Sequence, residues 1–373
     1  MPVLYLIRLV ILGVGVAAIA GTLLSVLSPS NLATSPGQDA QAGETTAGAA
    51  TGALVTGTTA SLISDITLGQ EQTRLQAQIE QLATLTPGLN QSVFIVDVDT
   101  GDYVDIAGGE AMSAASTIKV PILVAFLQAV DAGRIALNQG LVMQEDQMAG
   151  GSGTMQNEPV GSRYTALDVA AQMIVTSDNT ATNMMIDVLG GANALNQQFQ
   201  AWGLESTVLR NPLPDLEGTN TTSTKDLALL VTLVDQGGLL SARSRDRLFS
   251  IMQRTANRSL LPFGVNDDSI LANKTGDIET VLGDVALVDA PNGKRYVIAT
   301  LVDRPENDGR ASELIRRTAE TAHGELSQPI SPVGGLDPSA PEDAVPAPEE
   351  DEGSVDPSTP DMEPTNREQI PQG

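Results

Sequence analysis

The chain has 373 residues with 20 Lys and Arg against 46 Asp and Glu, a formal net charge of −26, one histidine and no cysteine. So acidic a balance argues against nucleic acid as a partner, because phosphate binding draws on clustered cations, and the missing cysteine excludes disulfides, thiolate nucleophiles and Cys-type zinc sites. With His323 as the only histidine, a multi-histidine metal centre is excluded and a Ser-His-Asp triad has a single candidate base, at the far end of the foldable region.

In chain order, the run from Pro2 to Leu27 is apolar with Arg8 as its one charge, long enough as a helix to cross a bilayer core of about 30 Å. Arg8 near its start favours a cytoplasmic N-terminus. We read residues 1–27 as an uncleaved single-pass anchor, with a cleaved signal peptide as the other reading; either way the rest is exported to the periplasm or another extracytoplasmic space. Residues 28–66, rich in Ala, Gly, Thr and Ser, read as a flexible tether. Leu75, Ile79 and Leu82 recur at helical spacing within 68–85, which ends at Pro87-Gly88. Residues 92–98 and 102–106 alternate as strands around Asp99-Thr100-Gly101 and predict a hairpin. A long, mostly helical stretch is expected from Ser116 to about Leu261. Three strands follow at 270–279, 282–288 and 295–302, then a helix at 312–325. The Pro- and acid-rich segment 327–373 has almost nothing to bury and reads as a disordered tail, with an acidic docking arm as its functional alternative.

Two strands, a helical block, three strands and helices at both ends predict an α+β fold. Its centre is an antiparallel five-stranded sheet flanked by helices, with an all-helical lobe inserted between the strand groups in a folded domain at 67–326. The active site is expected where lobe meets sheet.

Three short motifs carry chemistry. Ser116-Thr117-Ile118-Lys119 heads an apolar helix. Residues three apart share a helix face, so the Lys119 amine can reach the Ser116 hydroxyl, and an amine driven toward neutrality by burial and neighbouring cations can take its proton. The bland alternative makes Ser116 a helix N-cap. Ser177-Asp178-Asn179 interrupts a helical segment; it offers a relay hydroxyl on Ser177 and an amide on Asn179, or simply a loop or cap. Lys274-Thr275-Gly276 puts a cation, a hydroxyl and a closely approachable backbone on a strand, or else an edge lysine that discourages aggregation.

Together and in this order, the three motifs resemble the signature set of class A β-lactamases and penicillin-binding proteins. The sequence is similar to the β-lactamase-related serine hydrolase family over residues 68–325, and most like its class A branch. Ser177 to Asn183 resembles the family's extended second motif, and Asn220-Thr221-Thr222-Ser223-Thr224 the threonine-rich close of its Ω-loop. The resemblance implies Ser116 as acylated nucleophile, Lys119 as its proton partner, and Ser177 as shuttle to the leaving nitrogen. Asn179 would hold the substrate amide and Lys274 with Thr275 its carboxylate, and Gly276 would let the backbone approach. The N–H groups of Ser116 and Asp277 would form the oxyanion hole, and Gly150-Gly151-Ser152-Gly153 a wall of the cleft. The implied partner is a small molecule, a β-lactam or a peptidoglycan stem peptide, and the scarcity of aromatic residues, 3% of the chain, fits a small substrate. The chemistry needs no metal and no organic cofactor.

The sequence departs from the family pattern in the loop that supplies the deacylating glutamate. Residues 209–220 contain no Glu-x-x-Leu-Asn, and Asp215 and Glu217 are the only acids nearby; Glu217 is taken as the candidate base. An Arg–Asp clamp across the loop would here pair Arg210 with Asn220, without its ionic half. No arginine follows the third motif to assist carboxylate binding, and Asp277 would repel an anionic substrate unless it points away. The class A reading, a hydrolase that clears its acyl-enzyme, therefore stands beside a penicillin-binding-type D,D-carboxypeptidase or endopeptidase with slow deacylation. A non-catalytic peptidoglycan-binding module is the third reading.

Overall fold

The computed structural model describes residues 62–265 and 268–328; the expected anchor and nearly all of the expected tether and tail lie outside them. Among the described residues no helix is long and apolar enough to cross a membrane.

The domain begins earlier than the expected linker boundary. Leu62–Asp65 forms a 3-10 turn, and Ile63, Ile66 and Leu68 pack against the main core, so apolar burial holds a stretch whose neighbours in sequence are small and polar. Helix α1 (Thr73–Thr84) buries Leu75 and Ile79, one turn apart. Strands β1 (Asn90–Asp97) and β2 (Tyr103–Ile106) form the expected hairpin. At its turn the Asp97 carboxylate accepts the N–H groups of Asp99 and Thr100, and Gly101 takes φ +76°.

After the short strand β3 (Met112–Ser113) comes α2 (Lys119–Asp131), ten of whose residues are buried. A helix apolar all round belongs in the middle of a protein, and α2 is the axis of the helical lobe. Strands β4 (Gly140–Val142) and β5 (Arg163–Thr165) pair with each other. Helices α3 (Ala166–Val175), α4 (Asn179–Val188) and α5 (Gly191–Trp202) follow, then β6 (Thr221–Thr222), α6 (Thr224–Asp235), α7 (Ala242–Met252) and α8 (Leu261–Gly264). Thr165, Asp178 and Ser223 cap α3, α4 and α6, each accepting a backbone N–H three residues on. The expected, mostly helical stretch thus also carries strands β4, β5 and β6 and the non-helical segment 203–220. Met173, Met184, Met185 and Trp202 lie in its core.

Strands β7 (Ile270–Ile278), β8 (Val281–Asp289) and β9 (Arg295–Asp303) and helix α9 (Arg310–Leu326) complete the domain. The sheet is antiparallel, in the order β2-β1-β9-β8-β7. Its side chains alternate between two cores. Phe94, Val96, Ala272, Val285, Leu287, Val297 and Ala299 face the lobe. Val93, Ile95, Leu271, Leu282, Val288 and Ile298 join residues of α1, α8 and α9 on the opposite face. Strand β7 is an edge, and on it Lys274 points into the lobe-facing side.

Candidate active site

Ser116 does not start the long helix; it sits in a 3-10 turn, Ala115–Ile118, that runs into α2. No side chain caps either element, so the N-cap reading of Ser116 fails. Ala115 has φ +43° and Ser177 φ +57°, a region that costs a non-glycine residue about 1–3 kcal/mol. The two strained residues frame the nucleophile and the second-motif hydroxyl.

Lys119 is fully buried. Its Nζ lies 3.1 Å from Ser116 Oγ, 3.1 Å from Ser177 Oγ, 2.7 Å from Ser177 O and 2.9 Å from Asn179 Oδ1. Burial first, then the charge of Lys274, pushes its pKa well below the ordinary lysine range, against an opposing pull from Asp178. A neutral amine has two N–H donors and one lone pair. The two carbonyl oxygens can take only the donors, which leaves the lone pair for a hydroxyl at 3.1 Å. That is the arrangement a general base for Ser116 requires.

Lys274 is equally buried, which rules out the edge-lysine reading. Its Nζ donates to Ser177 Oγ at 3.1 Å and to Thr275 O at 2.6 Å. Burial lowers its pKa to about 8, partly offset by Asp284. Ser177 Oγ thus bridges both lysines and links all three motifs. Gly276 makes the juxtaposition possible: a Cβ there would stand 3.0 Å from Ser116 N and 3.1 Å from Ala115 Cβ. The bare backbone brings β7, and with it the Asp277 amide, against the nucleophile turn.

Asn179 ties the second motif to the glycine-rich segment. Its Nδ2 donates to Gly150 O and its own N–H to Ser152 O, so the glycine-rich segment is a cleft wall tied to the second motif. One N–H of the amide remains for a ligand. Asp178 holds the same wall through Met155 N at 2.9 Å, and Gly153 passes it so closely that a Cβ would collide with its carboxylate at 2.1 Å. A cleft of about 270 Å³ results, lined by Ser116, Ser152, Ser177, Lys274, Thr275 and Asp277 among others.

The loop acids are not brought to this cleft. Asp215 is buried and spends both oxygens on its own loop, accepting Thr219 Oγ1 at 2.7 Å and Asn220 N at 2.6 Å. Glu217, expected as the deacylating base, is exposed and does not line the cleft; the Asp215 and Asn220 hydrogen bonds fix the loop that carries it. Asn220 Oδ1 accepts the N–H groups of Arg210 and Asn211, and the Arg210 guanidinium donates to Thr219 O and Thr221 Oγ1. Arg210 and Asn220 therefore clamp the loop without an ion pair. Asn183, one turn beyond Asn179 on α4, fixes the backbone of Leu213 from both sides, at 2.8 and 2.9 Å. The loop residue that α4 pins in this way, Leu213, is buried.

Sequence reasoning missed Arg304. It lies just after β9, and its side chain is 5% exposed and paired with Asp277. It also donates to Ile278 O and Glu279 O, while its N–H meets Thr280 O. Burial raises the Asp277 pKa and Arg304 lowers it. Arg304, 27 residues downstream, thus partly neutralises Asp277, the acid that looked out of place. An arginine in a polar loop carries no local signal of that reach.

Comparison with known proteins agrees with this geometry. A profile of the β-lactamase enzyme family matches residues 74–326. A solved structure of PBP-A, in a leucine-to-glutamate variant held as an acyl-enzyme with penicillin G, is 51% identical, with a TM-score of 0.68 over 69% of this chain and 98% of that one. A reconstructed last common ancestor of Gram-negative class A β-lactamases is 25% identical, with a TM-score of 0.63 over 67% of this chain and 98% of that one. The β-lactamase of Kitasatospora aureofaciens is 27% identical over 248 residues, 63% of this chain and 80% of that protein. With its three motifs drawn onto one half-buried hydroxyl, that of Ser177, and its fold shared with these proteins, the chain belongs to the β-lactamase enzyme family and is a serine hydrolase of the class A-like kind.

Proposed function

We propose that Ser116 attacks the carbonyl of a β-lactam or of a peptidoglycan-type amide and is acylated by it, and that water then releases the acid. Lys119, neutral, takes the Ser116 proton. Ser177 passes a proton to the leaving nitrogen, and Lys274 with Thr275 holds the substrate carboxylate. The N–H groups of Ser116 and Asp277 receive the oxyanion, each donor of this kind being worth about 3 kcal/mol. The observation that carries the proposal is the placement of Ser116 Oγ and Ser177 Oγ each 3.1 Å from the buried Lys119 amine.

A second reading, a penicillin-binding-type enzyme with a long-lived acyl-enzyme, is favoured by three observations on the loop: Asp215 is consumed by its own loop, Glu217 does not line the cleft, and Leu213 occupies the pinned position. Among the described residues that line the cleft, Asp277 is the one carboxylate available to deacylation. The relative PBP-A was captured as an acyl-enzyme with penicillin G, which supports acyl-enzyme chemistry on this fold. We further propose that residues 2–27 tether the domain to the membrane with the active site outside the cytoplasm, on the strength of their apolar run and of Arg8.

Mixing the protein with a chromogenic cephalosporin separates the readings. A stoichiometric burst followed by a slow steady rate is expected. A linear trace at high rate without a burst would favour efficient hydrolysis, and no colour at all would leave the binding module.

A further inference from the structure

The cleft carries opposite charges at its two ends. Lys274 supplies a buried cation at one end. Three residues on, Asp277 lines the same cleft with its side chain 59% exposed. Arg304 holds Asp277 Oδ1, and Oδ2 has no partner among the described residues. Arg304 itself is 5% exposed and otherwise occupied by Ile278 O and Glu279 O, so its guanidinium is screened from a ligand. What the rim shows a substrate is a carboxylate. Strand geometry puts the two Cα atoms about 10 Å apart along β7, at roughly 3.3 Å per residue. Because β7 is a free edge, a substrate whose carboxylate meets Lys274 and Thr275, and whose carbonyl sits between Ser116 and Gly276, has room to lie along the strand with its acyl portion beside Asp277.

We infer that Asp277 is a specificity-determining residue that selects acyl donors bearing an ammonium group on the acyl side, with Arg304 as the positioning residue that fixes the carboxylate at the rim. The preferred substrate is then zwitterionic across the scissile amide, with a carboxylate on the leaving side and an amine on the acyl side. This deepens the acylation chemistry proposed above and rests on it. Arg304 also ties Asp277 to Ile278 and Glu279, so the turn that carries the Asp277 N–H and the carboxylate that reads the substrate are held by one side chain.

The test uses three penicillins with one nucleus: α-aminobenzyl, benzyl and α-carboxybenzyl. Second-order rates of Ser116 acylation are measured on the full chain for the wild type, Asp277→Asn and Glu279→Gln, the last being an exposed acid on the same turn. The expected wild-type order is amino, then benzyl, then carboxy. For a half-exposed pair the amino-to-carboxy ratio is about tenfold, falling to within about twofold in Asp277→Asn and unchanged in Glu279→Gln. Equal wild-type rates, a ratio that survives Asp277→Asn, or an equal loss in Glu279→Gln would overturn the inference while leaving the acylation chemistry intact. If no penicillin acylates Ser116, the chemistry falls instead. The inference is then decided by calorimetry on Ser116→Ala with Nα-acetyl-lysyl-D-alanyl-D-alanine, its ε-amine free or acetylated: several-fold tighter binding of the free amine that vanishes with Asp277→Asn upholds it, and equal binding defeats it.

Discussion

Lys119 works as a base only when neutral, whereas Lys274 holds a carboxylate only when charged, and burial lowers the pKa of both. The signs are opposite for activity. As pH rises through the Lys119 value the base becomes competent, and as it rises through about 8 the Lys274 charge is lost. The second-order acylation rate is therefore expected to be bell-shaped, its falling limb near pH 8, with apparent values that belong to the pair because Ser177 joins them. In Lys274→Arg, whose side chain stays charged, the falling limb should disappear even if the overall rate drops; a limb that stays in place would detach Lys274 from carboxylate binding. Lys119→Ala should lower acylation by roughly 10²–10⁴-fold, the usual range for a lost proton-transfer group, with the fold retained by circular dichroism.

At the level of elements, two close approaches define the site, β7 against the nucleophile turn and the 209–220 loop against α4. Gly276→Ala would drive a Cβ to 3.0 Å from Ser116 N. Overpacking of this kind typically costs about 1–3 kcal/mol, and here acylation should fall further than thermal stability does. Leu213→Glu would set a carboxylate on the segment that Asn183 pins one helical turn, about 5.4 Å, from Asn179. Adduct lifetime, followed by mass, should then shorten at least tenfold while acylation does not quicken; an unchanged lifetime would show that Leu213 is not the position that governs deacylation. The motifs, the hairpin and the last three strands were legible in the sequence because period-2 alternation and short polar triplets are local signals. The loop was not. Which of Leu213, Asp215 and Glu217 turns inward is decided by side chains such as Asn183 and Asn220, and the Asp277 partner lies beyond a β-hairpin and a strand, at Arg304.

Across the whole molecule, the sheet between two cores explains why a chain so acidic folds around two buried lysines: each side of β7 is roofed, and the lobe closes one side over Lys119 and Lys274. The same packing includes the residues before α1. Ile63, Ile66 and Leu68 lie on the main core, and Gly69 and Gln72 donate to Gly101 O and Tyr103 O. A fragment starting at Leu62 should therefore melt above one starting at Thr73, by about 4–8 °C for the roughly 2 kcal/mol that partial burial of three aliphatic side chains represents; equal melting points in calorimetry would deny these residues a structural part. The fold class and sheet were expected from element order alone, whereas the domain's first residues were not, since their apolar side chains sit singly among small polar ones.

The central claim is that Ser116, activated by Lys119, forms the covalent intermediate. Intact-mass spectra of the protein incubated with benzylpenicillin, followed by peptide mapping, test it most directly in the wild type and in Ser116→Ala. A single adduct on the peptide carrying Ser116, lost slowly and absent from Ser116→Ala, is the predicted result. An adduct that persists in Ser116→Ala, or hydrolysis of the drug that does not depend on Ser116, would contradict the account.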